Sequence, residues 1–394
     1  MTLPSGAAAV APAVACRAAA PAVAAVPGRG APALRPTSHS RIRVAWPARR
    51  DATAYCVFRD GLLVGATART AHVDRMLWPE TPYEYAVVTL RGRAVLAVRR
   101  GTASTTALPA AGFPRPFSRT SFWNTPIGPN RATHPRNDAL MSYFVSRVRN
   151  PNVTLYEWGV SVTETATGDP VYRVPCTKYR CTIRRVPIPL QARPDPSGDG
   201  HLAVYDPARQ REWGMWQARR ARGGWQASAG AEVSTRGAGL APPRTGAGNA
   251  ANFPLLGGLI RPEEIAQGRI DHALVFGIKG IGRGRPVCPA THNASTTDDP
   301  NALREGQLLQ LDPAVDVDAL PVPDWQKTIA RALQTYGMYL RDNSGSLAIY
   351  AETPWSRGYD PWAKLGFTPR VNPRLDGIPW DRMRVIAAPD YPNC

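Results

Sequence analysis
Lysine is almost missing from this chain: only Lys178, Lys279, Lys327 and Lys364 occur among 48 lysines and arginines. With abundant Ala and Pro, that ratio points to a high-GC bacterial genome. Part of the net charge of +18 therefore reflects codon usage rather than selection for a polyanionic partner. Common catalytic signatures are also missing, since there is no H-E-x-x-H, no G-x-S-x-G and no Walker loop. The run Gly280-Ile281-Gly282-Arg283-Gly284-Arg285-Pro286 ends in proline rather than a helix, so it reads as a basic loop and not a dinucleotide cradle. Helix-turn-helix and zinc-finger spacings are absent, and the basic residues are scattered, so nucleic acid is not the expected partner. Beyond the N-terminal segment no stretch of about 20 uninterrupted apolar residues occurs, which argues against a membrane span.

What the chain does have is turn-forming residues, 40 Pro and 34 Gly, with an ordinary 43% hydrophobic content. This composition predicts a mainly β protein, and 394 residues suit two domains. The expected division is a low-complexity Ala/Pro/Val leader and linker over 1–40, a small domain over 41–107, a Pro-rich linker over 108–116 and a large β-rich domain over 117–394. The leader reading implies a secreted or cell-surface protein, although Pro4, Pro12 and Pro21 interrupt its apolar stretch. Ala13-Val14-Ala15-Cys16 faintly resembles a lipoprotein cleavage box.

The small domain is the more legible part. Ile42, Val44 and Trp46 alternate onto one strand face. The strand 54–58 ends in the hairpin signal Arg59-Asp60-Gly61. Leu77, the Pro-containing corner and Tyr83 opening the next strand fit a tyrosine corner. On these residues the segment resembles a fibronectin type III domain, which implies a spacer or binding module and places any chemistry in the larger region.

In the larger region short strands separated by turn signals predict a second β-sandwich or jelly-roll-like domain with a few helices. A short helix is expected at 262–268 and a longer one at 324–341, where Trp325, Ile329, Leu333, Tyr336 and Leu340 form an apolar stripe. The runs 257–274 and 325–337 resemble an uncharacterised family of secreted proteins of high-GC bacteria, a likeness that implies export and no known activity. Among the six cysteines, Cys176 and Cys181 have hairpin-crosslink spacing. Cys288 and Cys394 form a second candidate pair, and Cys56 reads as a buried free thiol. Disulfides imply an oxidising location.

The best candidate site is the hairpin 201–218. A four-residue loop would put Leu202, Val204, Trp213 and Met215 on a core face, and His201, Tyr205, Glu212 and Trp216 on the other. An imidazole, a phenol, a carboxylate and an indole on one face suit a sugar-binding groove, with Trp225 joining from the next strand. The string Glu-Trp-Gly recurs at Glu157 and Glu212, and two carboxylates on neighbouring strands would serve glycoside hydrolysis. A lyase on an acidic polymer would instead use His201 and Tyr205, with Arg211 or Arg261 neutralising the uronate. His272 is either a satisfied core histidine or a cleft residue held by Glu264 or Arg261. His292 is a loop residue that could line the same cleft. No cofactor is expected; the loop 193–200 offers oxygens for calcium but lacks the spacing of an established calcium loop. The expected function is binding, and cleavage by hydrolase or lyase chemistry, of a polysaccharide, with the net charge leaning toward an anionic one. A non-catalytic adhesin or wall-binding protein and a purely structural exported protein are the alternatives.

Overall fold
Alternating strands in the first third of the chain close into two facing sheets. The structure, a computed structural model, describes residues 13–388 except 180, 182 and 244. Strands β1 (Ala33–Ser38), β2 (Arg41–Ala45) and β5 (Ala71–Arg75) form one sheet in the order β1-β2-β5. Strands β3 (Ala54–Arg59), β4 (Leu62–Thr67), β6 (Pro82–Arg91) and β7 (Ala94–Ser104) form the other, in the order β4-β3-β6-β7. Ile42, Val44 and Trp46 face inward and pack with Tyr55, Val57, Tyr85 and Val87. The Tyr83 hydroxyl accepts the Trp78 backbone N–H at 2.7 Å, which is the expected corner.

Two expectations about the N-terminus are corrected. The segment assigned to a leader and linker supplies β1, which pairs with β2, and a short helix α1 (Ala20–Ala25). Cys56 is not a free thiol but is bonded to Cys16. It lies on the outer face of the four-stranded sheet, where Cys16 and Ala19 cover Phe58, Val88 and Val98. That bridge and Cys176–Cys181 are the disulfides whose two ends both lie among the described residues. Cys288 is also disulfide-bonded, and its expected partner Cys394 lies outside the described residues.

The larger region is likewise mainly β, but its strand pairs are mixed in direction. It contains β8 (Asn152–Thr154), β9 (Val160–Glu164), β10 (Val171–Arg173), β11 (Arg185–Pro187), β12 (Leu202–Asp206), β13 (Arg211–Trp216), β14 (Arg219–Ala221), β15 (Gly224–Gln226) and β16 (Ala229–Ser234). Then follow β17 (Leu274–Ile278), β18 (Leu308–Leu311), β19 (Met338–Asn343), β20 (Ala348–Tyr350), β21 (Glu352–Thr353) and β22 (Met383–Val385). One sheet has the order β16-β13-β12-β9-β21 and another β22-β18-β19-β17-β20-β8. β12 and β9 run parallel, as do β17 and β19. Between the two sheets lies an apolar cluster containing Val160, Val162, Ala203, Phe253, Leu255, Val275, Tyr339 and Tyr350.

Four α-helices accompany these sheets among the described residues: α2 (Asn137–Arg147), α3 (Pro262–Gln267), α4 (Asp324–Thr335) and the single turn α5 (Pro361–Lys364). α3 begins with Pro and stops at Gly268, which is left-handed at φ 66°. α4 buries Ile329 and Leu333 as the stripe requires, yet it ends before Leu340. Gly337 takes φ +71°, and a Cβ there would lie 2.5 Å from the Leu309 carbonyl oxygen. The chain turns at this glycine and Leu340 becomes part of β19.

The small sandwich is bonded to the larger region. Arg59 pairs with buried Asp74 at 3.1 Å and donates to the Arg357 carbonyl at 2.5 Å. Tyr359 donates to the Met76 carbonyl at 2.7 Å, and Arg75 and Arg41 pair with Asp169 and Glu164 at 2.7 and 2.8 Å. The segment 108–116 is laid on the larger region as well, through Arg115 to the Asp271 carbonyl and Phe113 under the Arg261 guanidinium. No helix among the described residues is long and apolar enough to cross a membrane.

Candidate functional site
The β12–β13 hairpin has the register that a four-residue loop demands. Asp206 pairs with Arg211, Tyr205 with Glu212, Val204 with Trp213 and Leu202 with Met215. Leu202, Val204, Trp213 and Met215 share one apolar cluster, the expected core face. The opposite face is not the open groove expected, because a second layer of chain covers it. His201 is 1% exposed and its ring nitrogens face the carbonyls of Gly159 at 3.2 Å and Gly248 at 2.8 Å. Burial and the nearby Arg341 charge push its pKa down to about 4, so the imidazole is neutral at pH 7. Glu212 is fully buried and accepts the N–H groups of Leu255 at 2.5 Å and Leu256 at 3.3 Å. Burial raises its pKa to about 7 against those two hydrogen bonds. Both side chains are therefore buried structural groups beneath the covering layer. Trp216, at the strand end, emerges half-buried.

Trp216 opens into a cleft of about 640 Å³ lined also by Tyr179, Asp199, Asn249, His292 and Asp342. Its indole N–H donates to Asp199 Oδ1 at 3.0 Å. The Cys176–Cys181 disulfide closes the loop that carries Tyr179, whose backbone N–H donates to the Ser228 carbonyl at 2.9 Å. The Tyr179 ring, 56% exposed, sits 6.0 Å from Trp216, with Lys178 Nζ 5.2 Å from the indole centroid. On another wall His292 Nδ1 donates to the Ala250 carbonyl at 2.7 Å.

Asp342 reaches this cleft through a β-bulge. β19 pairs with β17 as Phe276 with Leu340 and then Gly277 with Asp342, so Arg341 is the extra residue. Without the bulge, period two would place Asp342 on the face of Met338 and Leu340, which pack in the core behind. The shift returns it to the face shared with Tyr339. Burial raises the Asp342 pKa to about 6, with the Asp199 charge adding to the rise and Arg341 opposing it. Glu305, fully buried next to the wall residue Ala294, is raised by burial to about 8. Arg341 lies wholly buried, 4.3 Å from the Tyr350 ring centroid, with no hydrogen-bond partner on its guanidinium nitrogens among the described residues.

The remaining candidates lie elsewhere. Tyr205 is half-buried against the inter-sheet apolar cluster. Glu157 is exposed while Glu212 is buried, so they do not face one groove as a carboxylate pair. Trp225 is a core residue capped by Arg220 at 4.1 Å. Arg211 is an exposed partner of Glu232 at 2.5 Å, and Arg261 is bonded to buried Glu352. His272 is a satisfied buried histidine: Nε2 meets Glu264 at 3.0 Å and Nδ1 meets the Ala273 carbonyl at 2.9 Å. Burial acts to lower its pKa, but the Glu264 charge and hydrogen bond prevail and raise it. His272 and Arg261 line only a cavity of about 20 Å³, too small for a sugar ring. In the loop 193–200, Asp195 bonds within its own turn to Ser197 and to the Trp158 N–H, and Asp199 holds Trp216. No group of three or more His, Cys, Asp or Glu with metal-binding geometry occurs among the described residues. Asp199 and Asp342 escaped the sequence reading as site residues because one sits in a turn-rich loop and the other at an apparent helix stop.

No family model matches the chain, and no curated protein matches it. Among solved structures, a Yersinia enterocolitica family 28 exopolygalacturonase is 18% identical over 21% of this chain and 21% of its own, with a TM-score of 0.19. The sixth fibronectin type III domain of human fibronectin type III domain containing protein 3 is 15% identical over 22% of this chain and 92% of its own, with a TM-score of 0.20. A fibronectin type III domain of human contactin 1 is 14% identical over 21% of this chain and 80% of its own, at 0.19. The chain thus spans about a fifth of the length of the exopolygalacturonase. At such identities and scores these matches say nothing of what the cleft binds.

Proposed function
We propose that the chain is an extracytoplasmic protein whose cleft binds a polysaccharide and hydrolyses it. The observation that carries this reading is the meeting of an aromatic wall, Trp216 and Tyr179, with two carboxylates, Asp199 and Asp342, in one cleft of about 640 Å³. An aromatic face stacks on the C–H face of a pyranose, while Asn249 and His292 offer hydrogen bonds to hydroxyls. Asp342, raised to about 6, keeps a proton available near neutrality and gives it to the glycosidic oxygen as the C1–O bond breaks. Asp199, aligned by the Trp216 N–H, supports the positive charge on the sugar ring and takes a proton from the water whose oxygen bonds to C1. One water is consumed and two hydroxyl ends are produced. The small sandwich, a fibronectin type III-like module, and the disulfides fit a role outside the cytoplasm.

Affinity electrophoresis through gels carrying single polysaccharides tests the binding step. The full chain is expected to be retarded by at least one polymer, and Trp216→Ala to reduce that retardation. Equal mobility of Trp216→Ala and the unsubstituted chain in every retarding gel would remove the reading.

A further inference from the structure
Trp158 has no part in the cleft just described, yet it is built to be seen. Its ring is 50% exposed, and its backbone takes φ 64°, a left-handed conformation that costs a non-glycine residue free energy. Asp195 Oδ1 accepts its N–H at 3.3 Å and holds that turn. The ring lies on Gly198, where a Cβ would be 3.6 Å from the indole. The next residue is Asp199, which lines the cleft and binds Trp216. Trp158 and Trp216 therefore flank residues 198–199.

The same loop runs back into a second cavity, of about 350 Å³, lined by Gln191, Arg193, Trp355, Tyr359, Arg370 and Asp360, whose carboxylate is taken up by the Tyr156 hydroxyl and the Trp362 and Ala363 N–H groups. Its walls are braced: Ser356 Oγ joins both backbone groups of Arg193 at 3.0 and 2.8 Å, and the Trp355 indole donates to the Tyr156 carbonyl at 2.9 Å. Arg193 and Arg370 are exposed, and neither is in an ion pair among the described residues. Leu62 of the small sandwich completes the cavity, packed so closely that a Cβ on Gly358 would overlap it.

We infer that the cleft is one end of a longer track that passes over Trp158 into this junction cavity, and that the polymer it takes is acidic, with carboxylates met by Arg193 and Arg370. The inference rests on the carbohydrate reading of the cleft. Trp158 supplies a stacking platform between the two cavities. The two guanidiniums supply the paired donors that suit carboxylates. The small sandwich thereby forms one wall of the distal subsite and takes part in binding.

The test is titration calorimetry of the full chain with alginate, polygalacturonate, trigalacturonate and a neutral β-glucan. Trp158→Ala and the double variant Arg193→Ala/Arg370→Ala are compared with Trp216→Ala, each first matched to the unsubstituted chain in melting temperature. The expected result is tighter binding of a uronate polymer than of the glucan. Both track variants should lose about fivefold or more in affinity for that polymer and bind the trimer unchanged, while Trp216→Ala weakens both. Polymer binding unaltered in the track variants but weakened by Trp216→Ala would overturn the track and leave the cleft reading standing. Neutral glucan bound as tightly as the uronate polymers would overturn the acidic substrate. Binding of no polysaccharide at all would overturn both readings.

Discussion
The indole N–H of Trp216 donates to Asp199 Oδ1 at 3.0 Å, so the aromatic wall of the cleft and one of its carboxylates are a single unit. Two substitutions at Trp216 should separate stacking from the alignment of Asp199. Trp216→Ala removes the ring and the donor, and should weaken carbohydrate binding by about 1 kcal/mol, a typical aromatic contact. Trp216→Phe keeps a smaller aromatic face and loses the donor, so affinity should fall less than in Trp216→Ala while turnover falls. Calorimetry and reducing-end assays check this. Turnover unchanged in Trp216→Phe would mean that Asp199 does not depend on the indole.

Stability should fall as pH rises from the unfolded carboxylate range, about 4, toward 8. Burial raises Asp342, Glu212 and Glu305 to about 6, 7 and 8, so the folded chain holds protons that the unfolded chain releases. Their stabilising contribution is complete below the unfolded carboxylate range and is lost as pH rises through the folded values. His201, lowered to about 4, has the opposite sign: its contribution is present above 6.5 and is lost as pH falls toward 4. Melting temperatures should therefore peak on the acid side of neutrality. Glu305→Gln should flatten the decline above pH 6; a decline as steep as in the unsubstituted chain would contradict this account.

The hairpin register was legible in the sequence because loop length and period two fix it together. Its outer face was misread because the covering layer around Gly248, Leu255 and Leu256 carries no periodicity that announces where it will lie. Tyr83 was legible because a corner is a local device. The Cys16–Cys56 bridge joins residues 40 positions apart, and nothing local marks it. Asp342 was hidden twice: the stripe through Leu340 mimics a helix, and the bulge at Arg341 reverses the face that alternation assigns.

The corner tyrosine should be structural only. Tyr83→Phe leaves the Trp78 N–H without its partner and should destabilise the sandwich by about 1–2 kcal/mol. Carbohydrate affinity should stay unchanged. Denaturant titration of the full chain checks the first point, and an unchanged midpoint would argue against the corner bond.

The Cys176–Cys181 bridge should matter more for binding than for folding. It closes a loop five residues apart, so its constraint on the unfolded chain is small, but that loop carries Tyr179 over Trp216. Cys176→Ser/Cys181→Ser should lower carbohydrate affinity several-fold with a small change in melting temperature. Thiol labelling of the unfolded, unreduced chain should leave both cysteines unmodified.

Reducing-end release from polysaccharides, measured for the unsubstituted chain, Asp342→Asn and Asp199→Asn, tests the central claim most directly. Release is expected from at least one uronate-containing polymer, with a rate that falls as pH rises through about 6, where Asp342 loses its proton. Each substitution should cut the rate at least 100-fold, on the scale of a lost general acid or base, while polymer binding survives. Full activity in both variants, or release from no polymer by a chain that binds one, would contradict it.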